Sequence, residues 1–193
     1  EEIDAFRAFI RVYPDTILLV DTYDTIEGVE KVIDLARELG LRCHMDGARI
    51  FNAEAASGIP AARWAESFDT VSFCLSKGLG APVGSLLLGS RELIRRAHRY
   101  RKQQGGGMRQ AGILAAAGIF ALERNRKRLG EDHANARRLA AGLAGIPGVS
   151  VPEPPESNIV IFRCAGAAAW SAALRARGVL VNPIASDALR AVT

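Results

Sequence analysis

Aromatic residues make up only 6% of this 193-residue chain, with two tryptophans, and methionine also occurs twice, so any core must be built mainly from aliphatic side chains and alanine. No apolar run approaches the roughly 20 residues that cross a bilayer. The longest, AGILAAAGIFAL at 111–122, has 12 residues and reads as a buried helix. Cysteine is sparse: Cys43, Cys74 and Cys164 are odd in number, far apart and set among apolar neighbours. That pattern suits reduced core thiols better than a disulfide set or a metal site. The first residues are Glu1 and Glu2, with no basic segment leading into an apolar one, so no signal peptide is expected and the cytoplasm is the default compartment. Lysine is scarce as well, with only Lys31, Lys77, Lys102 and Lys127.

What is present is a large apolar fraction, 49%, enough for one sizeable domain or two small ones. The net charge of +4 is unevenly spread: residues 1–40 hold 10 acids and 4 bases, and residues 41–193 hold 11 acids and 21 bases. An acidic segment thus precedes a basic body.

TILLVDTYDT (16–25) is a continuous apolar, β-branched run that predicts a strand buried on both faces. TIEGVEKVIDLARELG then places Ile26, Val29, Val32, Ile33 and Leu35 or Ala36 at helical spacing, with Gly40 as the stop. LRCHMD (41–46) is a second strand, completing a β-α-β unit with parallel pairing. A short Ala-rich helix from Ile50 to Ala56 and a buried strand from Thr70 to Ser76 follow. GSLLLGS (84–90) comes too soon for a helical crossover, so antiparallel pairing and a mixed sheet are expected. Helices are expected at about 90–102 and, interrupted by glycine, 108–142; VPEPPE then marks a boundary before a strand-helix-strand tail.

The stretch VSFCLSKGLGAPVGSLLLGS (71–90) poses the functional question. Lys77 is followed by Gly78 and has no glycine at the spacing of a phosphate-binding P-loop. A dinucleotide fingerprint would need glycine at Val83 and a helix afterwards, and neither is there. There remains a lysine just past a buried strand, while the other three lysines fall on expected helical surfaces. Partial desolvation there would lower the amine's pKa and make it a nucleophile toward an aldehyde, with Gly78, Gly80 and Gly84 leaving room for a planar ring. A cofactor of the pyridoxal type also needs a carboxylate against its ring nitrogen. Asp46 in HMDGAR fits, although an Asp that caps the next helix is an equally good reading of the spacing alone. His44 and His133 are candidate bases, but a lone histidine on a strand or helix is more often a hydrogen-bonded structural residue.

HMDGARIFNAEAASGIP, FDTVSFCLSKGLGAPVGSLLLGS, RKQQGGGMRQAGILAAAGIFALE and EDHANARRLAAGLA together resemble, over residues 41–193, the low-specificity L-threonine aldolases. The resemblance implies an α/β fold: part of the large domain of the pyridoxal-phosphate transferases of fold type I, with a mixed, mostly parallel sheet in 41–145, and a small C-terminal α+β subdomain in 146–193. It implies pyridoxal 5'-phosphate as cofactor and a small β-hydroxy-α-amino acid as substrate. Lys77 would carry the cofactor aldehyde as a Schiff base, Asp46 would face the pyridine nitrogen and Arg49 the ring hydroxyl. Arg109 would help the cofactor phosphate, and Arg190 would hold the substrate carboxylate. A homo-oligomer, dimer or tetramer, is implied, with no metal, nucleic acid or membrane partner. The family's N-terminal half, with its phosphate cup and ring-stacking histidine, has no counterpart in this reading.

Residues 1–40 instead resemble a β-α piece of the nicotinate phosphoribosyltransferases, so the chain reads as a mosaic joined near residue 40. Two rival readings follow: a fused or truncated product of little activity, and nucleic-acid binding through RRAHRYRK (95–102). The second lacks any base-reading geometry, and such a helix is more often a solvated face.

Overall fold

Four strands form the first sheet in this computed structural model, which describes residues 17–21 and 26–193. Strand β1 (Ile17–Asp21) pairs parallel with β2 (Arg42–Asp46), and β2 parallel with β3 (Thr70–Cys74). The fourth, β4 (Ser85–Gly89), runs antiparallel to β3, as the short connection required. The sheet is therefore mixed and mostly parallel, in the order β1-β2-β3-β4.

Helix α1 (Ile26–Glu38) forms because Val29, Ile33 and Ala36 recur at three- and four-residue spacing, and these residues bury one stripe against the sheet. It ends where expected: Gly40 adopts φ +70°, and Gly40 and Leu41 donate backward to Arg37 O and Ala36 O. Helices α2 (Ile50–Ser57) and α3 (Ala61–Ala65) follow β2 and add Ile50 and Trp64 to the same core, with Met45, Val71, Phe73 and Leu75. Phe51 meets Phe73 edge to face at 5.2 Å.

After β4 come α4 (Arg91–Gln103) and α5 (Gly112–Glu123), then a short 3-10 turn (Asn125–Arg128) that leads into α6 (Leu129–Ala144). The arginine-rich α4 buries none of its residues, which is the solvated face expected for RRAHRYRK. The expectation for α5 is overturned. Only Gly118 and Ala121 of this helix are buried, and Ile113 and Phe120 are 84% and 59% exposed. The cause is its small-residue stripe: a Cβ added to Gly118 would sit 3.1 Å from Leu75 Cδ1, so the helix packs closely along that line. Its bulky residues lie on the remaining faces, and nothing among the described residues covers them. Leu86, Leu87 and Leu88 on β4 are likewise exposed.

The second sheet is antiparallel, in the order β5-β6-β8-β7, from β5 (Val149–Ser150), β6 (Ile159–Cys164), β7 (Asn182–Ala185) and β8 (Ala188–Val192). With α7 (Ala167–Arg175) it forms the small α+β subdomain. Its core of Val160, Phe162, Ala167, Val181 and Leu189 packs on Ala136 and Ala140 of α6. Helix α6 thus gives Leu129 to the first core and its alanines to the second. Cys43, Cys74 and Cys164 are free thiols, and burial pushes the Cys43 thiol up. Of the segment 1–40, residues 1–16 and 22–25 lie outside the described residues.

Leu189, wholly buried in the second core, gives a direct check of that packing. Leu189→Ala should lower the unfolding free energy by about 2–5 kcal/mol, read from urea titration of the purified chain.

Candidate active site

Asp46 is the last residue of β2 and stands level with Ser72 of β3, so the chain leaves both parallel strands toward the same end of the sheet. Open α/β sheets bind ligands at this end, because the strand-to-helix turns there expose side chains and backbone N–H groups. The Asp46 carboxylate is exposed, and its Oδ1 accepts one hydrogen bond, 3.2 Å, from Ala48 N. The capping reading of Asp46 is overturned: the next helix has Arg49 at its N-cap with no side-chain cap bond, and the Asp46 oxygen instead serves the turn before it. Gly47 N donates to Ser72 O at 2.8 Å, and a Cβ at Gly47 would lie 3.1 Å from that oxygen, so the turn needs glycine.

Arg49 precedes α2, and its Nε is buried without a hydrogen-bond partner. An unpaired buried donor costs about 1–3 kcal/mol. Such a cost at the functional end of a sheet is a typical sign of a group waiting for a ligand.

Lys77 lies three residues past the end of β3, in a turn built from glycine. Leu75 N donates to Gly84 O at 2.9 Å, Ala81 N to Leu75 O at 3.0 Å, and Gly80 N to Lys77 O at 2.8 Å. Gly80 at φ +71° and Gly84 at φ +122° adopt conformations that L side chains rarely tolerate. Asn125 Nδ2 clamps the turn through Leu79 O at 2.8 Å, and Gly78 packs against Asn52, whose Oδ1 would be 3.1 Å from a Cβ there. The amine itself is exposed, which corrects the expectation of partial desolvation. The turn carries Ser76 and Lys77 outward, and no described residue walls them in.

The sheet end thus brings together Asp46, Arg49 and the Lys77 turn. Arg109, exposed between α4 and α5, and Arg190, exposed on β8 opposite Ile161 and Asn182, stand on other elements. No hydrogen bond or ion pair among the described residues joins either arginine to that end. His44 is held by Thr70 Oγ1 at 2.8 Å and Ser72 Oγ at 3.4 Å, and His133 by Asn52 Nδ2 at 3.1 Å, so both are hydrogen-bonded within the fold. Among the described residues no group of three or more His, Cys, Asp or Glu side chains is placed to hold a metal ion, and no helix is long and apolar enough to cross a membrane.

The sequence reading missed Asn52 and Asn158. Asn52 is 4% exposed, and its amide also donates to Asn158 Oδ1 at 3.4 Å. The signal was a polar residue in the first turn of the apolar IFNAEA segment. A second region it missed is a groove of about 640 Å³ lined by Glu54, Leu122, Glu123, Arg124, Arg126 and Lys127. There Arg126 stacks over Phe51 and pairs with Glu54. Burial raises the Glu54 pKa, but the Ala61 N–H and the Arg126 guanidinium outweigh it and hold the carboxyl below its ordinary value.

The parallel sheet, its antiparallel last strand and the appended α+β unit define a partial α/β large domain of the fold-type-I class. Residues 22–167 match the Beta-eliminating lyase family, and the chain belongs to that family. It is 47% identical over 169 residues to the low specificity L-threonine aldolase of Escherichia coli (strain K12), a match covering 86% of this chain and 50% of that one. It is 42% identical over 176 residues to low-specificity L-threonine aldolase 1 of Arabidopsis thaliana, covering 83% and 49%. In structure it is similar to a protein from Exiguobacterium sp. 255-15 described as an aromatic amino acid beta-eliminating lyase/threonine aldolase, with TM-score 0.79 and 24% identity over 94% of this chain and 56% of that one. The chain spans about half the length of the curated relatives it matches. The family match begins at residue 22, inside the segment assigned to a phosphoribosyltransferase resemblance, and these comparisons lend that resemblance no support.

Gly80 tests the turn. Gly80→Ala should destabilise the chain by about 1–2 kcal/mol, the cost of a left-handed L residue, measured as a lower urea midpoint. Gly142→Ala, whose added Cβ meets nothing within 4 Å, should not.

Proposed function

We propose that this chain carries the lysine-bearing part of a pyridoxal-phosphate-dependent threonine aldolase, which cleaves L-threonine or L-allo-threonine to glycine and acetaldehyde. The observation that carries the reading is the unpartnered, buried Nε of Arg49, set just past Asp46 at the same sheet end as Lys77. The donor set fits the cofactor: an accessible amine for its aldehyde, a carboxylate with a spare oxygen for its pyridine nitrogen, and an unsatisfied donor for its ring hydroxyl. The close relation to threonine aldolases supports the substrate class.

When bound, pyridoxal phosphate supplies an electron sink that accepts the pair left on Cα as the Cα–Cβ bond breaks. Lys77 Nζ would hold the cofactor and yield its place to the amino group of the substrate. Asp46 would keep the proton on the pyridine nitrogen, which maintains the sink. Arg49 would donate through Nε and fix the ring's tilt, and Arg109 would contribute to the phosphate region. The planar guanidinium of Arg190 would grip the substrate carboxylate through two parallel hydrogen bonds. During cleavage the β-hydroxyl gives up its proton, acetaldehyde departs, and Cα takes up a proton to become glycine. The cytoplasm belongs to the same reading, since the separate, free cysteines suit a reducing compartment.

Self-association belongs to it too. The exposed Leu86, Leu87, Leu88, Ile113 and Phe120 form more apolar surface than a lone solvated unit tolerates well. Light scattering should therefore give a mass at or above that of a dimer, and a clean monomer at micromolar concentration would oppose the homo-oligomer.

The activity reading is tested by incubating the folded chain with pyridoxal 5'-phosphate, reducing with borohydride and mapping the adduct by mass spectrometry. The expected result is modification at Lys77, lost in Lys77→Ala. A folded chain with no adduct, or one labelled equally at Lys31, Lys102 and Lys127, would overturn it.

A further inference from the structure

Asn52 is a buried side chain for which the reaction has no use, and its surroundings are specific. Its Nδ2 carries two hydrogens and points both at acceptors, His133 Nε2 at 3.1 Å and Asn158 Oδ1 at 3.4 Å. An amide nitrogen only donates, so His133 Nε2 must accept, and the ring is neutral with its proton on Nδ1. Asn158 continues the chain: its Nδ2 donates to Thr193 O at 3.1 Å, and Thr193 N returns a bond to Asn158 O at 3.0 Å. Thr193 Oγ1 donates to the carbonyl of Asp132, the neighbour of His133. On the other side, the Oδ1 of Asn52 faces Gly78, where an added Cβ would be 3.1 Å away. A hydrogen-bonded path therefore runs from Asn52, which packs against the residue next to Lys77, to the residue that follows the strand carrying Arg190.

We propose that Asn52, His133 and Asn158 form a positioning relay that fixes the Lys77 turn relative to β8, and that the relay holds only while His133 is neutral. This rests on the reading of Lys77 and Arg190 as the two ends of the active site. None of the three side chains touches the reacting atoms. Each acts through another residue, and together they set how far apart the amine and the carboxylate-binding guanidinium stand. A displacement of about 1 Å between such groups is enough to cost a large factor in rate.

The electrostatic setting agrees. Burial holds the His133 pKa below the ordinary imidazole value, the Arg137 cation lowers it further, and Asp132 opposes weakly. The group that meets the ring from α2 is the neutral amide of Asn52, itself bonded to the neutral amide of Asn158 before β6; the charged groups acting on the ring, Asp132 and Arg137, are on its own helix. The unfolded chain binds a proton at His133 more readily than the folded one. Stability and relay geometry are therefore intact above the ordinary histidine pKa of about 6.5 and are lost as pH falls below it toward the folded value.

Two measurements on the full chain test the relay. The first needs no cofactor: in uniformly ¹⁵N-labelled chain, Gly78→Ala should press on Asn52 and shift the His133 Nε2 resonance and the Thr193 amide, while Gly142→Ala should leave both unmoved. Unchanged His133 and Thr193 resonances in a folded Gly78→Ala chain would overturn the inference, whether or not the cofactor binds. The second follows pyridoxal 5'-phosphate binding against pH. The loss of affinity on the acid side should track the His133 titration in the native chain. His133→Gln, which keeps an acceptor for Asn52 but cannot titrate, should retain the affinity seen at about pH 8 and lose that part of the acid limb. Asn52→Ala should weaken binding about tenfold where His133 is neutral and progressively less on the acid side, where the native relay is itself lost. Identical acid limbs in the native and His133→Gln chains would refute the relay, whereas absence of any Lys77 adduct in the native chain would instead refute the aldolase reading.

Discussion

The buried carboxamide of Asn52 is the contact on which the relative placement of the parts depends. Two apolar cores meet around α6, one under the parallel sheet and one under the antiparallel sheet. Apolar burial is strong but has little direction, so by itself it would let the two units slide by fractions of an ångström. A buried amide does not allow this, because an unmet donor or acceptor costs about 1–3 kcal/mol. Asn52 satisfies its donors on two different elements, α6 and the residue before β6, and so ties their positions to α2. The Leu129 and Gly78 contacts then lock the lysine turn against the same point.

Strand direction explains why the chemistry gathers where it does. Parallel pairing of β1, β2 and β3 brings their exits to one end of the sheet, and Asp46 with Arg49 follow from the exit of β2. The next strand is antiparallel, so after β3 the chain must reverse within a short turn. Two glycines at positive φ make that reversal possible, and the amine rides on its crest. In the groove around Arg126, that arginine is already paired with Glu54 and stacked on Phe51, so it serves as packing at the rim of α2.

Much of this was legible in the sequence, for identifiable reasons. The β-α-β unit followed from a switch of period at Ile26 and from Gly40, and the structure places the helix end at that glycine. The antiparallel β4 followed from loop length alone. Asp46 and Lys77 could be singled out because their residue types are unusual at strand ends. The exposure of α5 was not legible, since composition shows that a helix is apolar and cannot show whether another surface is there to cover it. The same limit hid the openness around Lys77. Asn52 and Asn158 were invisible for another reason: their significance is a contact between positions 106 residues apart. The two short elements α3 and β5 and the last strand β8 were missed because they are brief and depend on tertiary pairing.

Leu75 has a consequence beyond packing. Its N–H reaches Gly84 O and its carbonyl receives Ala81 N–H, so one residue closes both hydrogen bonds at the neck of the lysine turn. The turn is a clasped ring of backbone mounted on a buried side chain, not a hinge. A nucleophile on a slack loop has to surrender its freedom each time a bond forms, and the rate suffers accordingly. Here that freedom is surrendered once, when the chain folds, so successive cycles at the amine start from an already ordered mount.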